Sequence, residues 1–334
     1  MKKKTALILV GFFCLGIVTF SFHTAAASPA EISTDGIVKN YKLAMIDLIA
    51  DLHAYAIKEK SSFSFISNNG LGIFAVEDGD TQADADRALQ SVNGILMEDY
   101  FYGWDMEYNN PPPDEEQHYR SELLQHPREK DLPIFNIDYC STKEYRDRSY
   151  KKNRAAGFIG FAAESRQLDN IPTKICAENN VDCYTLKDVK NYLVLLNPGR
   201  FKTKEAYLTS LRNTNYDLLI IDLMYNGDLL SKMDVASLKT KANGGRRLVF
   251  AYMSVGEAEN YRLYWQGAWN KNSPDWMVEK NKEWEGDFKV KYWTKEWRQI
   301  LYGSKDAYLD QILDSGFDGA FLDVIDAYEY FNAK

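Results

Sequence analysis

Eight short apolar runs, most of them separated by helical patterns, constrain this 334-residue chain more than any other feature. They are SSFSFISNNG (61–70), VNGILMEDYFY (92–102), LPIFNIDY (132–139), GFIGFAA (157–163), NYLVLLN (191–197), YDLLIID (216–222), RRLVFAYMSVGEAE (246–259) and FDGAFLD (317–323). Runs of this kind read as strands, and strand–helix alternation implies a parallel sheet with right-handed crossovers. Eight units in one chain of this length predict a (β/α)8 TIM-type barrel, an α/β fold, over an open doubly wound sheet. The order is unusual, because the chain begins with a long helical pattern at about 35–60 and ends just past a strand. A barrel then closes only if that first helix docks beside the last strand. Strands 61–70 and 317–323 should be neighbours.

Six of the eight runs end in an acid or an amide: Asn69, Glu98, Asp138, Asp222, Glu257 and Asp323. A single strand-end acid can be a helix cap. In a barrel, six strand ends meet at one face and line one pocket. Asp326 and Glu329 follow Asp323 at once. No histidine stands at a strand end, which argues against His-ligated zinc and most Ser-His-Asp chemistry. Carboxylate chemistry remains. It is either glycoside hydrolysis by two acids or a magnesium site in a lyase or isomerase, with Asp222, Glu257 and Asp323 as ligands. A non-catalytic polysaccharide-binding barrel that keeps the pocket is the third reading. On the hydrolase reading no cofactor and no metal is expected. Tyr102, Trp104 and Tyr108 follow Glu98 in a long loop and are candidates for substrate contact. Six of the seven tryptophans fall between Trp265 and Trp297, where core packing competes with sugar stacking.

Lys2, Lys3 and Lys4 precede an apolar run, Ala6 to Phe22, and then Ala25-Ala26-Ala27. This reads as a signal peptide over 1–27, for a secreted or periplasmic protein. The run falls short of the roughly 20 residues of a membrane span, so no stable membrane insertion is expected. Residues 28–334 then form one domain, with a polar surface linker near 170–190. The formal charge is −8, and losing the three leader lysines makes it −11. Such a chain is a poor partner for nucleic acid and suits a cationic or neutral substrate. Cys176 and Cys183, in the linker, could close a disulfide in an oxidising compartment and leave Cys140 free.

YDLLIID, AYMSVGEAENYRLYW, EWEGDFKVKYW and GFDGAFLDVIDAYEYF together resemble glycoside hydrolase family 114, the endo-α-1,4-polygalactosaminidases and their relatives. ISNNG, ILMEDYFY and FNIDY also resemble family strands, but they precede FDGAFLD here instead of following it. The resemblance therefore implies a circularly permuted barrel, with the family's usual start near Val189. It also implies endo-hydrolysis of an α-1,4-linked, galactosamine-containing polymer, a cationic amino-sugar polysaccharide. Asp323 resembles the family's nucleophile and Glu98 its general acid/base. Asp222, Tyr252, Glu257, Arg262, Asp326 and Asp138 would hold the sugar or tune the catalysts, with Asn69, Tyr102 and Trp104 also in contact. Tyr252 and Arg262 are the expected donors to Asp323.

Overall fold

A computed structural model describes residues 40–76 and 80–334. Residues 1–27, read from the sequence as a signal peptide, lie outside the described residues. Eight parallel strands form one sheet: β1 (Ser64–Asn68), β2 (Gly94–Glu98), β3 (Ile134–Tyr139), β4 (Ile159–Ala163), β5 (Tyr192–Leu195), β6 (Leu218–Ile221), β7 (Leu248–Ser254) and β8 (Gly319–Asp323). Their order in the sheet is β4-β3-β2-β1-β8-β7-β6-β5. The two end strands, β4 and β5, lie side by side without a ladder, and the rings of Phe161 and Tyr192 meet across the seam at 5.7 Å. The sheet is thus nearly closed into a barrel with helices around it.

The expected adjacency of first and last strands is present: Ser64 pairs with Gly319, and the register runs on to Ser67 with Leu322. Gly319 is glycine for a local reason. A Cβ there would stand 2.2 Å from the Ser64 carbonyl oxygen and 2.4 Å from the Phe250 ring. Helix α1 (Tyr41–Glu59) covers this junction. It starts where the Asn40 side chain accepts from the Leu43 amide at 2.8 Å. Its apolar stripe of Met45, Leu48, Ile49, Leu52 and Ala56 is fully buried, as the period of the sequence predicts. Each of the larger side chains contributes about 1.5–3 kcal/mol by leaving water. Tyr55 donates to Asp310 at 2.5 Å, and Tyr292 donates to the Tyr41 carbonyl at 2.8 Å, so the start of the described chain is fastened to its end.

The linker departs from the expected exposed connector. Residues 164–191 carry only a short 3-10 turn, Leu186–Asp188, yet Cys183, Leu186 and Val189 are buried. Lys241 and Asp217 form an ion pair at 2.7 Å with both side chains wholly inaccessible. Lys241 also donates to the Val181 carbonyl at 2.6 Å, and Asp217 accepts from the Lys190 amide at 2.9 Å. The linker is thereby pinned across the strand starts. The expected Cys176–Cys183 disulfide is corrected by the same geometry: Cys140, Cys176 and Cys183 are all free. The Cys183 thiol is buried near the Asp217–Lys241 pair, whereas Cys176 lies against Arg154 at 3.3 Å.

An antiparallel sheet not foreseen from the sequence is inserted after β7. It comprises Glu257–Glu259, Asp287–Val290 and Met277–Lys280. Most of the tryptophan cluster packs here: Trp265–Trp269, Trp269–Trp276 and Trp276–Trp297 have ring centroids 5.4, 5.1 and 5.1 Å apart. Trp276, Trp293 and Trp297 are buried, and Trp284 is exposed.

Candidate active site

The site is built at the C-terminal ends of β1, β2, β3, β7 and β8. Three of these ends turn through a left-handed residue: Asn69 (φ 50°), Asp99 (φ 59°) and Val324 (φ 60°). A β-branched valine there is strained, at a cost on the order of 1–3 kcal/mol. The strain has a visible use, because the Val324 amide donates to its neighbour, Asp323 Oδ1, at 2.9 Å.

Asp323 and Glu98 converge on one side chain, Asn68. Its amide nitrogen donates to Glu98 Oε1 at 2.9 Å and to Asp323 Oδ1 at 2.8 Å. Two bonds from one nitrogen place those oxygens no farther apart than the sum of the two lengths, about 5.7 Å. Asn68 is 4 % exposed, and its amide oxygen has no partner among the described residues. A buried polar atom left unpaired is costly, so the residue is not there for packing alone.

Each carboxylate has further donors. Tyr139 donates to Glu98 Oε2 at 2.5 Å and Asn69 Nδ2 to Glu98 Oε1 at 3.4 Å, while the Glu98 backbone amide donates back to Asn69 Oδ1 at 3.0 Å. Arg166 stacks over the Tyr139 ring at 4.2 Å and fixes that donor. Asp323 Oδ2 lies 2.8 Å from the Tyr252 hydroxyl. Burial pushes the Asp323 carboxyl up to about 6; Glu98's charge adds to this, while the bonds from Asn68, Tyr252 and Val324 oppose it.

A cleft of about 710 Å³ opens over Glu98. Its walls carry Glu98, Asp99, Asp105, Glu116, Asp326 and Glu329, against the single cation Arg120 among the lining residues. Burial pushes Asp326 up to about 7, helped by the charges of Asp323 and Glu329. Burial also pushes Asp99 up to about 7, against the pull of Arg166 and with the charge of Glu98. Trp104 stands in the cleft wall, with the Arg120 guanidinium 5.1 Å from its ring centre.

The sequence-derived candidates separate into three groups. Asp323, Glu98, Asn69, Tyr252, Asp326 and Trp104 surround the carboxylate pair or its cleft. Asp222 and Arg262 lie behind it. Arg262 does not donate to Asp323 as expected; it bonds Asp222 at 2.7 Å and also Glu259. Asp222 is driven upward by burial and held down by that arginine. Glu257, Asp138 and Tyr102 are spent elsewhere. Glu257 is 4 % exposed and takes Lys289 at 3.1 Å and Asn281 at 3.0 Å from the small sheet. Asp138 is fully buried and accepts from the Phe101 and Tyr102 amides, each at 3.0 Å, and from Ser149 at 2.5 Å. It holds the loop after β2 in place. Tyr102 is buried against Tyr145, ring centres 5.2 Å apart.

Asn68, Tyr139, Glu259 and Arg166 were not selected from the sequence. Asn68 adjoins the chosen Asn69 and Tyr139 the chosen Asp138, so strand ends gave the location but not the inward face. Among the described residues, no group of three or more His, Cys, Asp or Glu side chains is arranged to hold a metal ion. Asp222 and Glu257 already have arginine, lysine and asparagine partners, so the magnesium ligand set does not fit.

An uncharacterised protein of Methanocaldococcus jannaschii is 34% identical over 197 residues, covering 56% of this chain and 56% of the other. An uncharacterised protein of Thermotoga maritima is 30% identical over 149 residues, 45% of each. The chain thus spans about half the length of the curated relatives it matches. A crystal structure of a hyperthermophilic endo-β-1,4-glucanase in complex with substrate aligns over 80% of this chain and 91% of its own, at 12% identity and a TM-score of 0.25. Residues 198–334, from the turn after β5 to the end of the chain and including Asp323, match the model of glycoside-hydrolase family GH114.

Proposed function

We propose that this protein is an exported, endo-acting glycoside hydrolase that cleaves an α-1,4-linked, galactosamine-containing polymer with Asp323 and Glu98. The observation that carries the reading is the pair of carboxylates bridged by the Asn68 amide, one of which, Glu98, lines an acid-rich cleft. Asp323 attacks the anomeric carbon, and Glu98 protonates the leaving oxygen. Water then cleaves the glycosyl ester, with Glu98 as base. One oxygen of each carboxylate, Glu98 Oε1 and Asp323 Oδ1, lies within about 5.7 Å of the other, a close approach that supports the ~5–5.5 Å arrangement of retaining enzymes over the ~6.5–9.5 Å gap of inverting ones. The reading is therefore one of retention. With its carboxyl near 6, Asp323 is mostly ionised at neutral pH, as a nucleophile requires. The acid-rich walls favour a substrate that carries ammonium groups.

The test is incubation with a partly de-acetylated α-1,4-galactosamine polymer. Oligosaccharides of falling length are expected, with the α-anomer seen first by proton NMR. Release of the β-anomer first refutes retention. Absence of cleavage, with cleavage of some other polysaccharide instead, refutes the substrate.

A further inference from the structure

Behind Asp323 lies a buried charged cluster that the two-carboxylate mechanism leaves without a task. Its centre is Glu259, 1% exposed. Glu259 Oε2 accepts from Arg262 Nε, and Oε1 accepts from the Tyr261 hydroxyl at 2.8 Å. Its own amide donates to the Tyr264 hydroxyl at 2.9 Å. Arg262 links the cluster to Asp222 on the β6 side and lies over the rings of Tyr252 and Tyr308, at 5.2 and 5.5 Å. From the strand Asp287–Val290, Asp287 faces the same cluster; burial pushes its carboxyl up to about 7, with the charges of Glu259 and Glu257 adding to this. Glu259 is thus a carboxylate kept in place by a cation and away from solvent.

It meets the catalytic pair through Tyr252. The Tyr252 hydroxyl lies 2.8 Å from Asp323 Oδ2 and 3.2 Å from Glu259 Oε1. A phenol has one proton, so it can donate to only one of the two at a time. Asp323 Oδ1 already accepts from Asn68 and from the Val324 amide. Oδ2 carries only the Tyr252 bond among the described residues, which makes it the less encumbered oxygen for attack. A donor on the attacking oxygen holds the lone pair that must form the new bond, and has to release it.

We propose that Glu259 is a positioning residue for Asp323: it accepts the Tyr252 hydrogen bond as the Asp323 carboxylate loses its charge to the sugar. The proposal rests on the two-carboxylate reading. Tyr252 keeps its proton throughout and only turns it from Oδ2 to Glu259. The Oδ2 lone pair forms the bond to the anomeric carbon, the glycosidic pair departs with the leaving oxygen, and Glu98 supplies that oxygen's proton. Arg262 and Tyr261 keep Glu259 ready as an acceptor.

The first test needs no substrate. Asp323→Asn is neutral, as the glycosyl ester is. Its crystal structure should show the Tyr252 hydroxyl drawn to Glu259, from 3.2 Å to about 2.8 Å. A hydroxyl that stays on residue 323 and retreats beyond about 3.5 Å from Glu259 overturns the proposal. The second test is the pH profile of kcat/KM on the galactosamine polymer. Glu259→Gln leaves Tyr252 committed to Asp323, so the rate at pH 7 should fall about tenfold and the acid limb should move down by about half a pH unit. Tyr252→Phe should move that limb up, and the double variant should match Tyr252→Phe alone. Without the switch, Glu259→Gln would still lower the rate in the Tyr252→Phe background, so that the two effects add; that result also overturns the proposal. If Glu259→Gln does not fold, Glu259→Asp keeps the Arg262 pair while withdrawing from Tyr252, and should give the same profile. If neither folds, the Asp323→Asn structure decides. Inactivity of the wild-type protein on the polymer would refute the substrate reading and leave that structural outcome to decide the hydrogen-bond switch.

Discussion

Replacing Asp323 by asparagine should make the protein more stable while disabling it. In the fold, the carboxyl is pushed from an ordinary 3.8 up to about 6, so its ionised form is disfavoured relative to the unfolded chain. For an acid raised in this way, stability is full below pH 3.8 and is lost as the pH rises through about 6. At about 1.36 kcal/mol per pH unit, that gap corresponds to at most about 3 kcal/mol at neutral pH. Asp323 retains partial contact with solvent, so about 2 kcal/mol is the better expectation. Asparagine keeps an oxygen to accept from Asn68 and Val324 and brings no charge. At about 2 °C per kcal/mol for a chain of this size, Asp323→Asn should melt about 4 °C higher than wild type at pH 7.5. The difference should shrink to nothing near pH 4. The assay is thermal unfolding by circular dichroism at half-unit steps from pH 4 to pH 8. A variant equal to or less stable than wild type at pH 7.5, or a gain that does not vary with pH, refutes the assigned cause. Neutralising this charge should also ease its neighbour Asp326, whose carboxyl is raised partly by Asp323.

On the polymer, folded Asp323→Asn and Glu98→Gln should each lose about a thousandfold or more in kcat. Glu98→Gln should retain part of the first step on a substrate with a good leaving group. More than a tenth of wild-type activity in either variant removes that residue from the catalytic pair. Asn68→Ala deletes two hydrogen bonds to carboxylates, each worth about 1.5–3 kcal/mol. The acid limb of kcat/KM should rise by about one pH unit and kcat should fall at least about tenfold; an unmoved limb contradicts the bridge. Lys241→Met strands the buried Asp217 carboxylate and should cost about 3–5 kcal/mol, read as a lower denaturant midpoint; wild-type stability would mean the linker is not held by this pair.

The barrel was legible from sequence because burial has a period. Strands buried on both faces show as unbroken apolar runs such as YLVL and LLII, and α1 shows as a stripe at 3.6-residue spacing. The adjacency of β1 and β8 followed from the same count, since eight strands laid down in chain order close a barrel only where the first meets the last; the short helix Ala327–Asn332 after β8 was not foreseen. That Asp323 and Glu98 come together was legible because charge at the end of a buried strand has no packing reason. What the acids contact was not legible. Asp138 and Glu257 stand at strand ends just as Glu98 does. Their partners, Ser149 for one and Lys289 for the other, come from elements 11 and 32 residues away. Arg262 was a reasonable donor to Asp323 by spacing, but Glu259, three residues before it, and Asp222 took both sides of its guanidinium. The linker cysteines are near in sequence, and proximity suggested a bond. In the fold, Cys183 is buried beside the Lys241–Asp217 pair, whereas Cys176 is half-buried against Arg154. Sequence alone determined which segments must be buried and where charge gathers, because hydrophobic burial depends on residue type and period. Tertiary structure alone decided which charge meets which, because a hydrogen bond depends on an ångström of distance between atoms that the chain brings together only when it folds.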